Sequence, residues 1–225
     1  MTTETAIEPI TRWCEDIGMF AIDRPIGNTP NTMGTCNENK TRFCGQTCFN
    51  NKFYNMYETD MFARDDRNEA AWQALTGEAL NAHLDRKRHQ TDRIRLMTRG
   101  EAFTCVLDIV KVYDLAMAMP DRQIWIPTRA WRTTALKNEI EKLLFNLPNV
   151  AVLASLDPSN TYAEKAMLKR DGWSTMFYGD DTETADRFKC PKTWGHIKRA
   201  CAKCKNGCFK MIEKGVPVHV HLKQH

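Results

Sequence analysis

Cys36, Cys44 and Cys48 stand in the spacing C-x7-C-x3-C, and Cys190, Cys201, Cys204 and Cys208 in C-x10-C-x2-C-x3-C. Soft thiolates that converge on one point suit Zn2+ or iron, so both groups are expected to ligate a metal or an iron–sulfur cluster. A four-thiolate site is closed and structural in the usual case, whereas a three-thiolate cluster leaves one iron open to a substrate or cofactor. Cys14 and Cys105, the other two of nine cysteines, are isolated in sequence and are expected to be small buried apolar residues. Disulfides would need an oxidising compartment. The opening MTTETAIEPITRW has neither the basic start nor the apolar run of a signal peptide, which points to reduced thiols in the cytoplasm. No stretch approaches the apolar length that spans a bilayer, so no membrane partner is expected.

Something must hold these thiols, and the chain between them alternates regularly. With 225 residues, 42% of them hydrophobic, and six tryptophans, it is expected to fold as one α/β domain over residues 1–225, with 27–48 and 190–208 as cysteine-rich metal-binding insertions. Apolar runs at 19–22, 93–98, 123–128, 150–155, 174–178 and 216–222 read as strands. Between them lie a largely helical stretch from Phe49 to about His89, broken near Thr76-Gly77, and helical spacing from Phe103 to Met117, Leu136 to Leu147 and Tyr162 to Lys169. Strand–helix alternation with short turns implies right-handed βαβ units. About five or six strands suit a partial (βα)6-type barrel or an open parallel sheet, not a closed eight-stranded barrel.

In either form the chemistry belongs just beyond the carboxyl ends of the strands. That rule selects Arg99-Gly100-Glu101, Thr128-Arg129, Asp157 and the Asp180-Asp181 pair. Asp157 follows the most apolar strand and is a candidate for acid–base or nucleophilic work, or a turn cap before Pro158. Thr128 and Arg129 offer a phosphate or carboxylate site, or a helix cap. His219, His221 and His225 read as an exposed terminal segment. The net charge is only +4, but His83 to Arg99 and Lys189 to Lys214 are strongly basic. Such tracts fit a nucleic-acid or nucleotide partner and equally fit a solvated face.

The ordered motifs G-N-T-P-N-T…C…C-x3-C (Gly27 to Cys48), R-x4-G-E (Arg95 to Glu101), W-x-x-T-R-x-W (Trp125 to Trp131), P-N-V-x4-S-x-D-P (Pro148 to Pro158) and C-P…C-x2-C-x3-C (Cys190 to Cys208) resemble the phage protein family called gene product 88. That resemblance implies phage or prophage origin, hence the host cytoplasm, rather than a particular reaction. A more distant similarity is to radical S-adenosylmethionine enzymes, which carry a three-cysteine loop after the first strand of a partial barrel and a Gly-Gly-Glu motif after the second. Their usual C-x3-C-x2-C is replaced here by C-x7-C-x3-C. The resemblance implies a [4Fe–4S] cluster on Cys36, Cys44 and Cys48, S-adenosylmethionine, an external reductant, Glu101 on the cofactor's ammonium, and Arg99 or Arg129 on its carboxylate. Two alternatives stay open. One is a zinc nucleobase-exchange enzyme similar to deazaguanine transglycosylases, with Asp157 as nucleophile. The other is a non-catalytic, zinc-stapled DNA-binding protein.

Overall fold

Eight strands form one sheet in the order β1-β2-β3-β4-β5-β6-β8-β7. The computed structural model describes residues 10–26, 34–36, 41–48, 50, 56–89, 91–179, 187–195, 201, 204 and 208–223. The strands are β1 (Thr11–Cys14), β2 (Met19–Ile22), β3 (Arg93–Leu96), β4 (Gln123–Thr128), β5 (Val150–Leu156), β6 (Ser174–Gly179), β7 (Phe188–Lys189) and β8 (His219–Lys223). Every pairing is parallel except the β1–β2 hairpin. The helices are α1 (Arg42–Thr47), α2 (Glu58–Ala74), α3 (Gly77–Asp85), α4 (Val106–Ala118), α5 (Thr134–Leu143), α6 (Tyr162–Arg170) and α7 (Lys210–Lys214).

Because strands β2 to β6 follow one another in order, each right-handed crossover lands on the same face of the sheet. Trp72, Leu80, Ile109, Ile140 and Leu168 from α2 to α6 pack there with Ile94, Ile126 and Val152. This is the winding of a barrel that does not close, so the open sheet, not the barrel, is the outcome. The opposite face carries Met19, Trp125, Ala151, Leu153 and Met176, and α7 covers it through Phe209, Met211 and Ile212.

The break expected near Thr76-Gly77 is real. Thr76 caps α3 by accepting the Ala79 N–H at 3.3 Å. A Cβ on Gly77 would lie 2.3 Å from that of Ala118, so only glycine lets α3 approach α4 this closely. The strand expected at 216–222 forms as His219–Lys223 and runs between β6 and β7, so that His219 is half-buried and His221 fully buried, its Nε2 donating to Gly179 O at 3.1 Å, in place of the exposed segment expected there. Two strands, β1 and β7, were not foreseen. Among the described residues no helix is long and apolar enough to cross a membrane.

Candidate functional site

The carboxyl ends of β3, β4 and β5 bring Glu101, Thr128, Arg129 and Asp157 together with the cysteine-bearing segment that follows β2. Glu101 is buried. Its Oε1 accepts from Ala102 N at 2.9 Å, Phe103 N at 3.3 Å and Thr128 Oγ1 at 2.5 Å, and its Oε2 from Arg129 N at 2.8 Å. Burial pushes its carboxyl above the ordinary range, since all four donors are neutral and only partly offset the lost hydration.

Asp157 is fully buried as well, but its partners differ. Oδ1 accepts from Ser159 N at 2.9 Å and Ser159 Oγ at 2.5 Å. Oδ2 accepts from Thr41 Oγ1 at 2.6 Å and pairs with Arg129 Nη2 at 2.9 Å. Burial alone would raise this carboxyl. The Ser159 and Thr41 hydrogen bonds and the Arg129 charge outweigh it and hold the group below its usual range.

These two carboxylate loops anchor the first cysteine segment. Glu101 N donates to Thr35 Oγ1 at 2.6 Å, and Thr35 Oγ1 donates in turn to Pro25 O at 2.8 Å, which places Cys36 beside the exit of β3. Thr41 caps α1 by accepting the Cys44 N–H at 2.9 Å while it donates to Asp157. Phe43 of α1 meets Tyr178 at the end of β6, and Cys36 and Cys48 pack against Ile26 and Met61. The turn between β3 and Glu101 requires glycine. Gly100 has φ +77°, and a Cβ there would lie 2.5 Å from Arg24 O.

Arg99 lies beneath the first cysteine segment, on the Met61 side chain against whose cluster Cys36 and Cys48 pack. Its guanidinium points inward to Asp65 Oδ1 at 3.3 Å and Met61 Sδ at 3.7 Å, and its N–H donates to Asp23. Asp23 also takes Arg12 Nε at 2.8 Å and Thr98 Oγ1 at 2.5 Å. A second buried network binds Arg24 to Glu69, Asp108 and Ala102 O, with the Trp72 indole donating to Asp108. Asn149 of the P-N-V motif spends its amide on Ala116 O, Met119 O and Arg122 O, capping α4. Several motif residues therefore hold the frame.

The second cysteine group lies elsewhere, over the sheet face that the helices leave bare. Arg93 and Arg95 alternate on β3 and so share that face. Arg93 reaches Cys204 O at 3.4 Å and Glu213 at 3.1 Å and lies 4.4 Å from the Phe209 ring centre. Cys14, Cys201 and Cys208 pack against the apolar cluster of this face, which includes Met19, Trp125, Leu153 and Phe209. Burial raises the Cys201 and Cys208 thiols, and Cys190 and Cys204 add to the rise, so the four sulfurs feel one another. Among the described residues, however, no three His, Cys, Asp or Glu side chains are gathered as a metal needs. The expected metal loops appear as thiol neighbourhoods, in which Cys36, Cys48, Cys201 and Cys208 rest on apolar clusters.

A family model described as Gene product 88 matches residues 6–214. The chain belongs to the Gene product 88 family of phage proteins. No curated protein and no solved structure matches it. The match spans both cysteine groups and the Glu101, Arg129 and Asp157 edge, so all of these are features of a Gene product 88 chain.

Three expectations are corrected. Cys105 is exposed at the start of α4, because helix α4 turns Asp108, Ile109 and Val112 inward instead. The basic tract 83–99 is only partly a surface feature. His83, Arg93 and Arg99 are buried, since β3 and α3 need those positions for contacts to Thr11, Gln123 and Asp65. The count of strands is eight. Asp180, Asp181 and His225 lie outside the described residues.

Thr35 and Thr41 were missed as site residues. Thr41 had a legible signal, a threonine three residues before Cys44 at a helix start. A concavity of about 560 Å3 lined by Asn81, Asp85, Asp92, Asp121 and Arg122 opens at the amino end of the sheet, the opposite end from Glu101, Arg129 and Asp157.

Proposed function

We propose that the protein is an iron–sulfur enzyme of the radical S-adenosylmethionine-like kind that modifies a nucleotide or nucleic acid in the host cytoplasm, with its reacting centre beside Cys36, Cys44 and Cys48. One observation carries this reading. The three-cysteine segment follows the first parallel strand of an in-order, one-sided α/β winding, and Thr35 and Thr41 tie it to the exits of β3 and β5. The donor set also suits the group, since three half-buried thiols at a strand exit are the ligands an iron–sulfur cluster takes. When bound, such a cluster supplies the electron that cleaves the cofactor's carbon–sulfur bond, drawn from an external reductant.

The chain's own residues have separate tasks in this reading. Arg129 has Nη2 on Asp157, while its buried Nη1 has no hydrogen-bond partner among the described residues. It is the cation placed to meet a carboxylate or phosphate at the edge. Glu101 and Asp157 position the cysteine segment rather than react, because each already receives four donors. That occupancy weighs against Asp157 as the nucleophile of a zinc base-exchange enzyme, which must reach a sugar carbon.

The test is iron and sulfide content and visible absorption of protein purified without oxygen, followed by assay of S-adenosylmethionine cleavage. Brown protein whose iron is lost in Cys44→Ala is the expected result. Colourless protein carrying zinc alone rejects the reading and favours a zinc-stapled DNA-binding protein.

A further inference from the structure

Helix α4 turns Ile109, Val112, Leu115 and Ala116 inward, so the residues three and four apart on its other side look out from the helix layer. That outer side is apolar. Leu107 is 76% exposed, Met117 56%, Val106 43% and Val110 37%. The helices beside α4 show what a wetted outer face is in this chain. Glu78 and Asp85 are exposed on α3, and Asn138 and Lys142 on α5. Because α4 packs against both α3 and α5, four apolar side chains hold the middle of the layer and polar ones its margins. An apolar centre with a polar rim is the anatomy of a protein interface.

Two charged residues lie along this stripe, and their signs are opposite. Asp114 is exposed, and its carboxylate makes no hydrogen bond or ion pair among the described residues. Lys111 Nζ donates to Gln73 O at 3.2 Å and Leu75 O at 3.1 Å, which occupies two of its three ammonium hydrogens. A two-fold axis through the middle of the stripe lays α4 antiparallel on α4 of a second copy. Leu107 then meets Met117 of that copy and Lys111 meets its Asp114, both pairs being centred next to Val112 along the helix. Packed helix axes lie about 8–10 Å apart, within reach of a lysine and an aspartate. A foreign partner has no need of opposite charges placed symmetrically about the midpoint, whereas a second copy does. We infer that the outer face of α4 is the contact of a two-fold homodimer, with Leu107, Val110 and Met117 at its centre and Lys111–Asp114 as its two symmetric ion pairs. The rim falls to α3 and α5, since a specific interface takes about 800 Å2 from each partner. The inference stands whether or not Cys36, Cys44 and Cys48 carry a cluster.

The experiment is sedimentation equilibrium of the full chain from about 1 μM to about 1 mM, with urea midpoints to check the fold of each variant. The parent is expected to dimerise within this range, and Leu107→Glu to weaken the dimer by about tenfold or more, as a charge at an apolar centre does. Lys111→Glu and Asp114→Lys each set like charges opposite one another, so each alone is expected to be monomeric where the parent is a dimer. Mixed in equal amounts they are expected to form a heterodimer, because every pair across the axis is again of opposite sign. Lys111 also holds the end of α2, so Leu107→Lys mixed with Met117→Glu repeats the test at exposed positions that touch no other helix end. A parent that stays monomeric throughout the range overturns the inference. So does a dimer that Leu107→Glu leaves unchanged, since its contact then lies elsewhere. Variants of the second pair that fold as the parent does but stay monomeric when mixed overturn the two-fold register.

Discussion

The two cysteine regions are held by opposite means. At the carboxyl edge, Cys36 and Cys44 are placed by their neighbours Thr35 and Thr41, through directional hydrogen bonds to the loops of Glu101 and Asp157. On the sheet face, Cys201 and Cys208 pack against the apolar cluster that includes Trp125 and Phe209, and Arg93 donates to Cys204 O. Hydrogen bonds fix orientation, which a centre that must stay open on one side requires. Charge and apolar contact fix location, which is enough for a closed staple. The difference argues that the first group works and the second one holds.

The comparison breaks most sharply at Asp157. If this carboxylate is the keystone of the edge, Asp157→Ala leaves Arg129 without its buried anion and Thr41 and Ser159 without an acceptor. Truncating one member of a buried pair costs about 3–5 kcal/mol, to be read from urea unfolding. A loss under about 1 kcal/mol would reject the keystone role.

A pH experiment sharpens the same contrast, because buried carboxylates of opposite tendency lie close to this edge. Burial pushes Asp65 up to about 6, with Arg99 only partly offsetting it, while Asp157 is held low. Below the unfolded value of 3.8 both states carry the Asp65 proton. Between 3.8 and about 6 the folded state keeps a proton that the unfolded chain has lost, so stability falls as pH rises across that window. At about 1.4 kcal/mol per unit the penalty reaches up to about 3 kcal/mol above pH 6. Asp65→Asn is expected to flatten this slope, measured as unfolding midpoints from pH 4 to 7. An unchanged slope would mean that Arg99 alone satisfies Asp65.

A smaller effect is expected at Thr41. Thr41→Val removes the cap on Cys44 N and one donor to Asp157, a cost of about 1–2 kcal/mol. Its more telling readout is selective. Cluster iron at the first group should fall in Thr41→Val while zinc or cobalt binding at the second stays at the parent level. Equal losses at both would dissolve the distinction between the two regions.

Much of the frame was legible because each interior strand is an apolar run with a sharp boundary. Gln123–Thr128 came out as expected, and Val150–Leu156 and Ser174–Gly179 each run one residue longer. β1 was not legible, since Thr11-Arg12-Trp13-Cys14 shows neither an apolar run nor a polar–apolar alternation, and β7 has only two residues. Glu101 and Asp157 were found from their place after strands, but their occupancy was not. It depends on Thr35, 66 positions from Glu101, and Thr41, 116 positions from Asp157. Arg93 and Arg95 read as surface charge because a strand in a basic tract looks solvated. Only the packing shows that both faces of β3 are covered, Ile94 and Leu96 by the helix-side core and Arg93 by Phe209.

Cys105 gives the smallest effect and the cleanest control. It is exposed, and its side chain makes no capping bond to α4, so Cys105→Ser should move stability by no more than about 0.5 kcal/mol. Its thiol should react first with an aromatic disulfide reagent, at a rate indifferent to chelator, because its sulfur is open to the reagent. Cys201 and Cys208 lie half-buried against the apolar cluster that includes Trp125 and Phe209, and burial alone would slow them. Burial and a metal are separable by the chelator. If removing metal adds rapidly labelled thiols beyond Cys105, coordination protects the second group. If the labelled count does not change, apolar packing is the whole of its protection, and the sheet-face region differs from the edge only in what it packs against.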